Sequence, residues 1–413
     1  MSILYDDKWS LTPKQQRSIV NSNSRMNIWY GGVRSGKTLT SSIRWLDYLA
    51  RNPQGAKAMV GKTQRTLIKN VLTPIRELIG EDNFELNKGE SWAKLAGHKV
   101  DLYGANDERA LEKIAGVTLG GAYLDEVSLH PHSMFKMTSS RCSIPNSKIF
   151  ATTNPGSPEH WLKRKYLDRE NDMNLTSFHF RLEDNKSLSD EYIRDLKNEY
   201  DGVWYDRYIE GLWVLAEGLV YDMYDRDEHI VDTLPEIKDY WVGIDYGTTA
   251  STAFVLIGLG VDGRLYIVDE YKHSGKKEEA SKTDIQYARD FINWLGDIEP
   301  NWICIDPSAK SFRLQLWDMQ DQCNSLNSLR KGDNKVLDGI RLISSLLSSN
   351  SLYIHRSCDN VIKELGLYSW DKKAQARGED KPIKKHDHCL DAMRYGIKGI
   401  GSNITRKLLT ESR

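Results

Sequence analysis

Asn27-Ile-Trp-Tyr-Gly31-Gly-Val-Arg34-Ser35-Gly36-Lys37-Thr38 is the stretch that decides how the first half of the chain folds. From Gly31 to Thr38 it fits the pattern G-x-x-x-x-G-K-[ST]. Before it runs an apolar segment, Asn27 to Tyr30; after it comes a helical pattern, Thr38 to Ala50, with Leu39, Ile43, Leu46 and Leu49 on one face. A glycine-rich loop between a strand and a helix is suited to holding phosphates. Its glycines let backbone N–H groups curl around the anion, Lys37 reaches the outer oxygens, and the Thr38 hydroxyl can ligate Mg²⁺ at the positive end of the helix. Further out, short apolar runs at 58–60, 99–103, 122–124 and 148–151 alternate with helix-period stretches such as Gln64 to Ile79. That alternation predicts an α/β domain with a mainly parallel sheet flanked by helices.

Two later strand ends carry groups that suit the same chemistry. Gly121-Ala-Tyr-Leu-Asp125-Glu126 ends an apolar run in two acids, of which Asp125 suits the Mg²⁺ shell and Glu126 the polarising of an attacking water. Ala151-Thr-Thr-Asn154-Pro155 can bring Thr153 and Asn154 to the γ-phosphate as a hydrolysis sensor. Upstream, either Gln15 or Gln16 can read an adenine edge. The expected ligand of this half is ATP with Mg²⁺, held by Gly31, Arg34, Ser35, Gly36, Lys37, Thr38 and Asp125.

Composition bounds the alternatives. With 57 Lys+Arg against 58 Asp+Glu in 413 residues, the chain is no bulk-charge nucleic-acid binder, although a local basic groove remains open. No run reaches the roughly 18 apolar residues of a spanning helix, and the start, MSILYDDKWS, lacks the features of a secretory signal, so a soluble cytosolic protein without membrane contact is expected. Five scattered cysteines form no CxxC pair, which argues against a disulfide framework or a structural zinc site.

After Pro158 the chain reads as polar and helical to about Tyr208, and the glycine-punctuated passage from Gly211 reads as a connection between domains. From Tyr240 the order is β-β-β-α-β-α-β-α-α, with Gly260-Val-Asp-Gly263 as the turn of a hairpin, which predicts helices on a mixed sheet. Asp245 and Asp306 end two of those strands, and Asp391 lies in the last helix, three residues after His388 and four after Asp387. Three carboxylates converging in this way can hold two Mg²⁺ or Mn²⁺ ions for phosphodiester hydrolysis. The order of elements resembles RNase H-like nucleases. Gly243-Ile-Asp-Tyr-Gly-Thr-Thr249 also resembles the phosphate loop of actin/Hsp70-type ATPases, but those need a duplicated domain for which too little chain remains. Glu270 is a candidate auxiliary ligand. Basic clusters at Lys62 to Lys69, Lys163 to Lys165, Lys272 to Lys277 and Lys384 to His386 are candidate DNA contacts.

Together these residues make the chain similar to the large terminase subunit of tailed double-stranded DNA bacteriophages. The resemblance rests on Gly31 to Thr38 with Arg34, Asp125-Glu126, Thr152-Thr-Asn154-Pro155, Gly211-Leu-Trp213 and the acids Asp245, Asp306 and Asp391, with His388 beside them. It implies a P-loop ATPase domain over 1–210, including a helical bridge from about 158, a linker over 211–238 and an RNase H-like nuclease over 239–413. It further implies double-stranded DNA as substrate, the portal protein and a small terminase subunit as partners, a homo-oligomeric ring on the portal, and a place in the host cytoplasm. Arg34, Arg109 and Arg141 are candidates for completing the ATP site. A repair helicase-nuclease is the alternative, but it requires further motor motifs after Asn154 where this sequence has a bridge.

Overall fold

In the computed structural model, residues 11–51, 54–247, 251–273, 282–385, 387–401, 404–405 and 408–409 are described. They fall into two compact units. The first comprises Met1–Ile193, Gly202–Leu215 and Lys373–Glu379; the second comprises Arg194–Asp201, Ala216–Lys372 and Asp380–Arg413. The passage 211–238, read above as a connection, is thus divided between the two: its first residues pack with unit 1, and its later ones include a strand of unit 2.

Unit 1 holds strands β1 (Met26–Gly31), β2 (Ala56–Gly61), β3 (Phe84–Asn87), β4 (Trp92–Leu95), β5 (His98–Gly104), β6 (Leu119–Leu124), β7 (Lys148–Thr153) and β8 (Leu175–Phe180). They form one sheet in the order β3-β4-β5-β2-β6-β7-β1-β8. From β5 to β8 every pairing is parallel; β3 and β4 add an antiparallel edge. All six residues of β6 are buried, as expected of a parallel strand covered on both faces. Hydrophobic clusters lie on both faces, one around Ile28, Val60 and Leu124, the other around Trp29, Met59 and Tyr123.

Two departures from the sequence expectation have physical causes. Leu175–Phe180, inside the stretch expected to be helical, is strand β8, lying parallel to β1 with Leu175 and Phe180 buried. The helical run from Gln64 to Ile79 is interrupted by a π turn at Ile68–Leu72. Pro74 has no N–H to give its helix, and the Thr73 hydroxyl bonds the Ile68 carbonyl at 3.1 Å, so the wider turn re-routes the ladder just before the proline.

Unit 2 holds β9 (Ile230–Val231), β10 (Ile237–Asp245), β11 (Thr252–Gly260), β12 (Leu265–His273), β13 (Trp302–Ile305), β14 (Leu329–Lys331) and β15 (Leu352–His355), in the order β14-β13-β10-β11-β12-β15-β9. β10, β11 and β12 are antiparallel neighbours, and β13 lies parallel to β10. The sheet is therefore mixed, as expected, with helices Asp284–Leu295, Lys310–Asp318, Val336–Ser348 and His388–Gly399 packed on it.

The last of these helices lies against β10 and β11 at backbone distance. A Cβ on Gly243 would sit 1.8 Å from the Ala392 carbonyl oxygen, and one on Gly396 would sit 3.0 Å from the Gly243 nitrogen. This approach sets the height of Asp391 above the end of β10. Gly243→Ala is therefore expected to destabilise unit 2 by roughly 1–3 kcal/mol, because helix and strand must separate to admit the methyl group. Urea unfolding followed by tryptophan fluorescence measures this; a neutral or stabilising effect would contradict the contact.

Candidate active sites

The loop after β1 is held from two sides. Gly32 N–H donates to the Phe180 carbonyl at 2.8 Å, and Val33 N–H to the Tyr208 carbonyl at 2.7 Å, so β8 and the segment after it support the loop. Arg34, exposed, has a left-handed backbone (φ 55°), and the Asn185 amide donates to its carbonyl at 2.7 Å. Gly36 is also left-handed (φ 87°) and immediately precedes the helix Lys37–Ala50. A Cβ there would lie 2.5 Å from Nε2 of Gln15, so the position requires glycine twice over.

Of the two glutamines, Gln15 alone is brought against the loop. It is buried, and its Oε1 accepts the Thr12 N–H at 2.8 Å in a capping box. Gln16 is exposed and donates to the Leu11 carbonyl. Ser35 is buried, with its hydroxyl unpartnered among the described residues.

Lys37, Asp125 and Glu126 form one electrostatic group. Lys37 is buried, and its Nζ donates to the Gly32 carbonyl at 2.9 Å. Burial pulls its pKa down to about 8, against the attraction of Asp125 and Glu126. Asp125 follows β6 and is buried; burial pushes its pKa up to about 6, opposed by the hydrogen bond from Thr152. Glu126 has a left-handed backbone (φ 51°), a strained state for a non-glycine residue.

The Thr152 hydroxyl ties this pair to the end of β7. It donates to Asp125 Oδ1 at 2.8 Å and accepts the Glu126 N–H at 3.2 Å. Thr153, singled out from sequence, faces the other way and bonds Ser128 Oγ at 2.6 Å. Strand alternation, legible in Ala151-Thr-Thr-Asn154, separates the two hydroxyls. Asn154 Oδ1 is buried without a partner among the described residues. So are both ring nitrogens of His130, which burial holds neutral, its pKa pulled down to about 4. Arg109 stands exposed just after the Asp107 cap, and Arg141 has a buried Nε without a partner among the described residues.

In unit 2, parallel pairing of β10 with β13 puts Asp245 and Asp306 on adjacent strand ends, and the Asp306 N–H continues the ladder to the Ile244 carbonyl at 3.0 Å. Asp306 Oδ1 accepts the Ser308 N–H at 2.8 Å. Asp245 Oδ2 lies 2.8 Å from Nδ1 of His388, the first residue of the last helix. Burial raises the Asp245 pKa, with Asp391 and Asp306 adding to it against the His388 hydrogen bond; that same bond raises His388. Asp391 Oδ1 accepts from Arg394 Nη2 at 2.9 Å, and its Oδ2 from Lys384 Nζ at 3.1 Å. The structure thus brings Asp245, Asp306, Asp391 and His388 into one electrostatic cluster. Asp387, at the cap of the helix, is buried; its Oδ2 makes no hydrogen bond among the described residues and lies 3.9 Å from Lys384 Nζ.

As arranged, no three His, Cys, Asp or Glu residues among those described close on a common point for a metal. The Asp391 oxygen that points outward is taken by the Lys384 ammonium, which Asp391 and Asp387 hold above its ordinary pKa although burial opposes the charge. The donor set itself, three carboxylates beside a cation, is the chemistry a hard divalent ion takes. Glu270 does not join it. Its carboxylate accepts the Asn360 and Val361 N–H groups at 2.7 and 2.8 Å and so caps the helix Asp359–Leu365.

Sequence reasoning missed Glu364 and Arg394 as parts of this site, and read Lys384 as a DNA contact rather than as a partner of Asp391. Glu364, 1% exposed, accepts the Cys389 and Leu390 N–H groups at 2.8 and 3.2 Å and pairs with Lys272 at 2.6 Å. It anchors the first turn of the helix that carries His388 and Asp391. Several basic residues proposed for DNA are therefore engaged within the protein: Lys272 with Glu364, Lys384 with Asp391, and Lys163 with Asp168 at 2.5 Å. Lys276, Lys277 and His386 of those clusters lie outside the described residues.

A family model described as phage terminase large subunit matches residues 23–209, and one described as terminase RNaseH-like domain matches residues 242–398. Among solved structures, the large terminase from the thermophilic bacteriophage D6E is 35% identical over 95% of this chain and 99% of its own, with a TM-score of 0.84. Its complex with ADP is 36% identical over 94% of this chain and 99% of that chain (TM-score 0.84), and its complex with ATP-gamma-S is 35% identical over 93% and 98% (TM-score 0.82). No curated protein matches the chain.

Asp125 carries a stability cost that can be measured. Its folded pKa, about 6, lies above the 3.8 of an ordinary Asp, so its contribution to stability is full below pH 3.8 and is lost as pH rises through 6. Asp125→Asn keeps the acceptor for Thr152 and removes the buried charge. It is expected to raise the stability of unit 1 at pH 8 by about 1–3 kcal/mol, with the gain shrinking at pH 5. Urea unfolding at both pH values checks this; a variant less stable than wild type at pH 8 would contradict it.

Proposed function

The chain belongs to the phage terminase large-subunit family, and we propose that it is the motor and nuclease of viral DNA packaging: ATP hydrolysis in unit 1 drives double-stranded DNA into the procapsid, and unit 2 cuts the concatemer at the start and end of packaging. The observation that carries this reading is the presence in one chain of a P-loop with its acidic partners and a separate cluster of strand-end carboxylates on a mixed sheet. The D6E enzyme's solution with ADP and with ATP-gamma-S supports ATP as the nucleotide.

In unit 1, Lys37 would bind the outer phosphate oxygens, for which it must be protonated, and the backbone from Arg34 to Thr38 would cradle the rest. Thr38 and Asp125 would hold Mg²⁺, Gln15 the adenine edge, and Glu126 the attacking water as it loses its proton. Thr152, bonded to both acids, would report the state of that water to β7. In unit 2, two Mg²⁺ or Mn²⁺ ions, held by Asp245, Asp306 and Asp391, would supply Lewis acidity and a deprotonated water. His388 orients the Asp245 carboxylate, and Lys384 would then be released to face a DNA phosphate. The family implies a portal protein and a small terminase subunit as partners, and we assign the protein to a homo-oligomeric ring on the portal in the host cytoplasm.

Two substitutions separate the activities. Lys37→Ala is expected to abolish ATP turnover and leave Mn²⁺-dependent plasmid cutting intact, whereas Asp391→Ala should lower cutting by at least about a hundredfold and leave ATP turnover intact. Loss of both activities in either folded variant would count against two independent sites.

A further inference from the structure

Arg394 is a fully buried cation, 1% exposed, in the middle of the last helix. It spends two donors on a single atom: Nη2 at 2.9 Å and Nε at 3.3 Å both reach Oδ1 of Asp391, one turn earlier. Its third nitrogen, Nη1, is buried with no partner among the described residues. The guanidinium lies 4.5 Å from the centroid of the Tyr395 ring. Room for its stem comes from another helix: a Cβ on Gly339 would sit 2.4 Å from Arg394 Cγ and 2.6 Å from Cδ.

Burying an arginine with an unspent donor costs free energy, and an ion pair hidden in this way is seldom a gain over apolar packing. Its geometric effect is specific. The two oxygens of Asp391 are made unequal: Oδ1 is bound inward, and Oδ2 is turned toward Lys384, whose side chain is 67% exposed. Glu364 holds the first turn of the same helix through the Cys389 and Leu390 N–H groups. Backbone and carboxylate of the ligand are thus fixed from opposite ends.

We infer that Arg394 is the positioning residue that reserves one oxygen of Asp391 for a divalent cation, acting from behind the ligand and touching neither metal nor DNA. This rests on the reading of Asp245, Asp306 and Asp391 as a metal site. Lysine cannot substitute, since one ammonium on a flexible stem does not reproduce two donors in a rigid fork. Gly339 belongs to the same device, because a side chain there would occupy the space of the arginine stem.

Mn²⁺ binding to the full chain, followed by electron paramagnetic resonance without DNA or nucleotide, tests this directly. Wild type should bind Mn²⁺ in a manner lost in Asp306→Asn. Arg394→Lys is expected to weaken that binding by roughly 10–100-fold, the usual effect of removing a group that orients a ligand, while ATP turnover in unit 1 is unchanged. Gly339→Ala changes neither a ligand nor Arg394 itself but pushes the arginine stem out of its position, and should weaken Mn²⁺ in the same direction, which keeps the test open if Arg394→Lys does not fold. Either folded variant binding Mn²⁺ as tightly as wild type, with only its unfolding midpoint lowered, would overturn the inference and leave the metal site standing. Wild-type binding that is absent or indifferent to Asp306→Asn would overturn both.

Discussion

Parallel pairing sets the carboxyl ends of neighbouring strands side by side, and both chemical sites depend on that constraint. In unit 1, β6, β7 and β1 are adjacent and parallel, so Asp125, Thr152 and the loop leading to Lys37 leave the sheet along one edge. In unit 2, β10 and β13 are parallel neighbours within a mixed sheet, and that pairing delivers Asp245 and Asp306. An antiparallel neighbour would have placed the second carboxylate at the opposite edge. Ligands of α/β sheets collect at such strand ends for this reason.

The third member of each site comes from a helix, and close backbone approach decides its position. Lys37 begins a helix directly after a left-handed glycine, so loop and helix form one rigid piece. Asp391 depends on longer-range packing: the last helix reaches β10 at a glycine, Glu364 holds its first turn, and Arg394 turns the carboxylate. Each site is electrostatically costly. Lys37 and Asp125 are both shifted toward neutrality by burial, and Asp245 is shifted likewise. Fold stability alone would not favour these residues at those positions; the tension between stability and chemistry is what a functional site looks like from the energetic side.

Much of this was legible in the residues themselves. The loop from Gly31 to Thr38 carries its own signature, since its flanking strand and helix are local in sequence, although its glycines also make room for Phe180, Tyr208 and Gln15 from elsewhere in the chain. Asp125, Asp245 and Asp306 were legible because an apolar run ending in an acid marks a strand end whatever sheet it joins. Less visible were Leu175–Phe180, masked by polar surroundings, and the π turn before Pro74, which compromises between a helical pattern and a missing N–H. Glu270 looked like a ligand by sequence position and is a helix cap, a distinction that depends on where the helix Asp359–Leu365 starts in space.

By itself, then, the sequence determined the two chemistries, the strand-end acids and the phosphate loop, because each is written in residues close together along the chain. Only the tertiary structure decided which side chains complete the sites. It chose Gln15 over Gln16 to lie against the loop, Thr152 over Thr153 as the hydroxyl bonded to the acids, and Lys384 and Arg394 as the cations on Asp391. Those choices turn on strand register, helix rotation and a backbone contact at Gly243. Such contacts join residues far apart in the chain, and no local pattern encodes them.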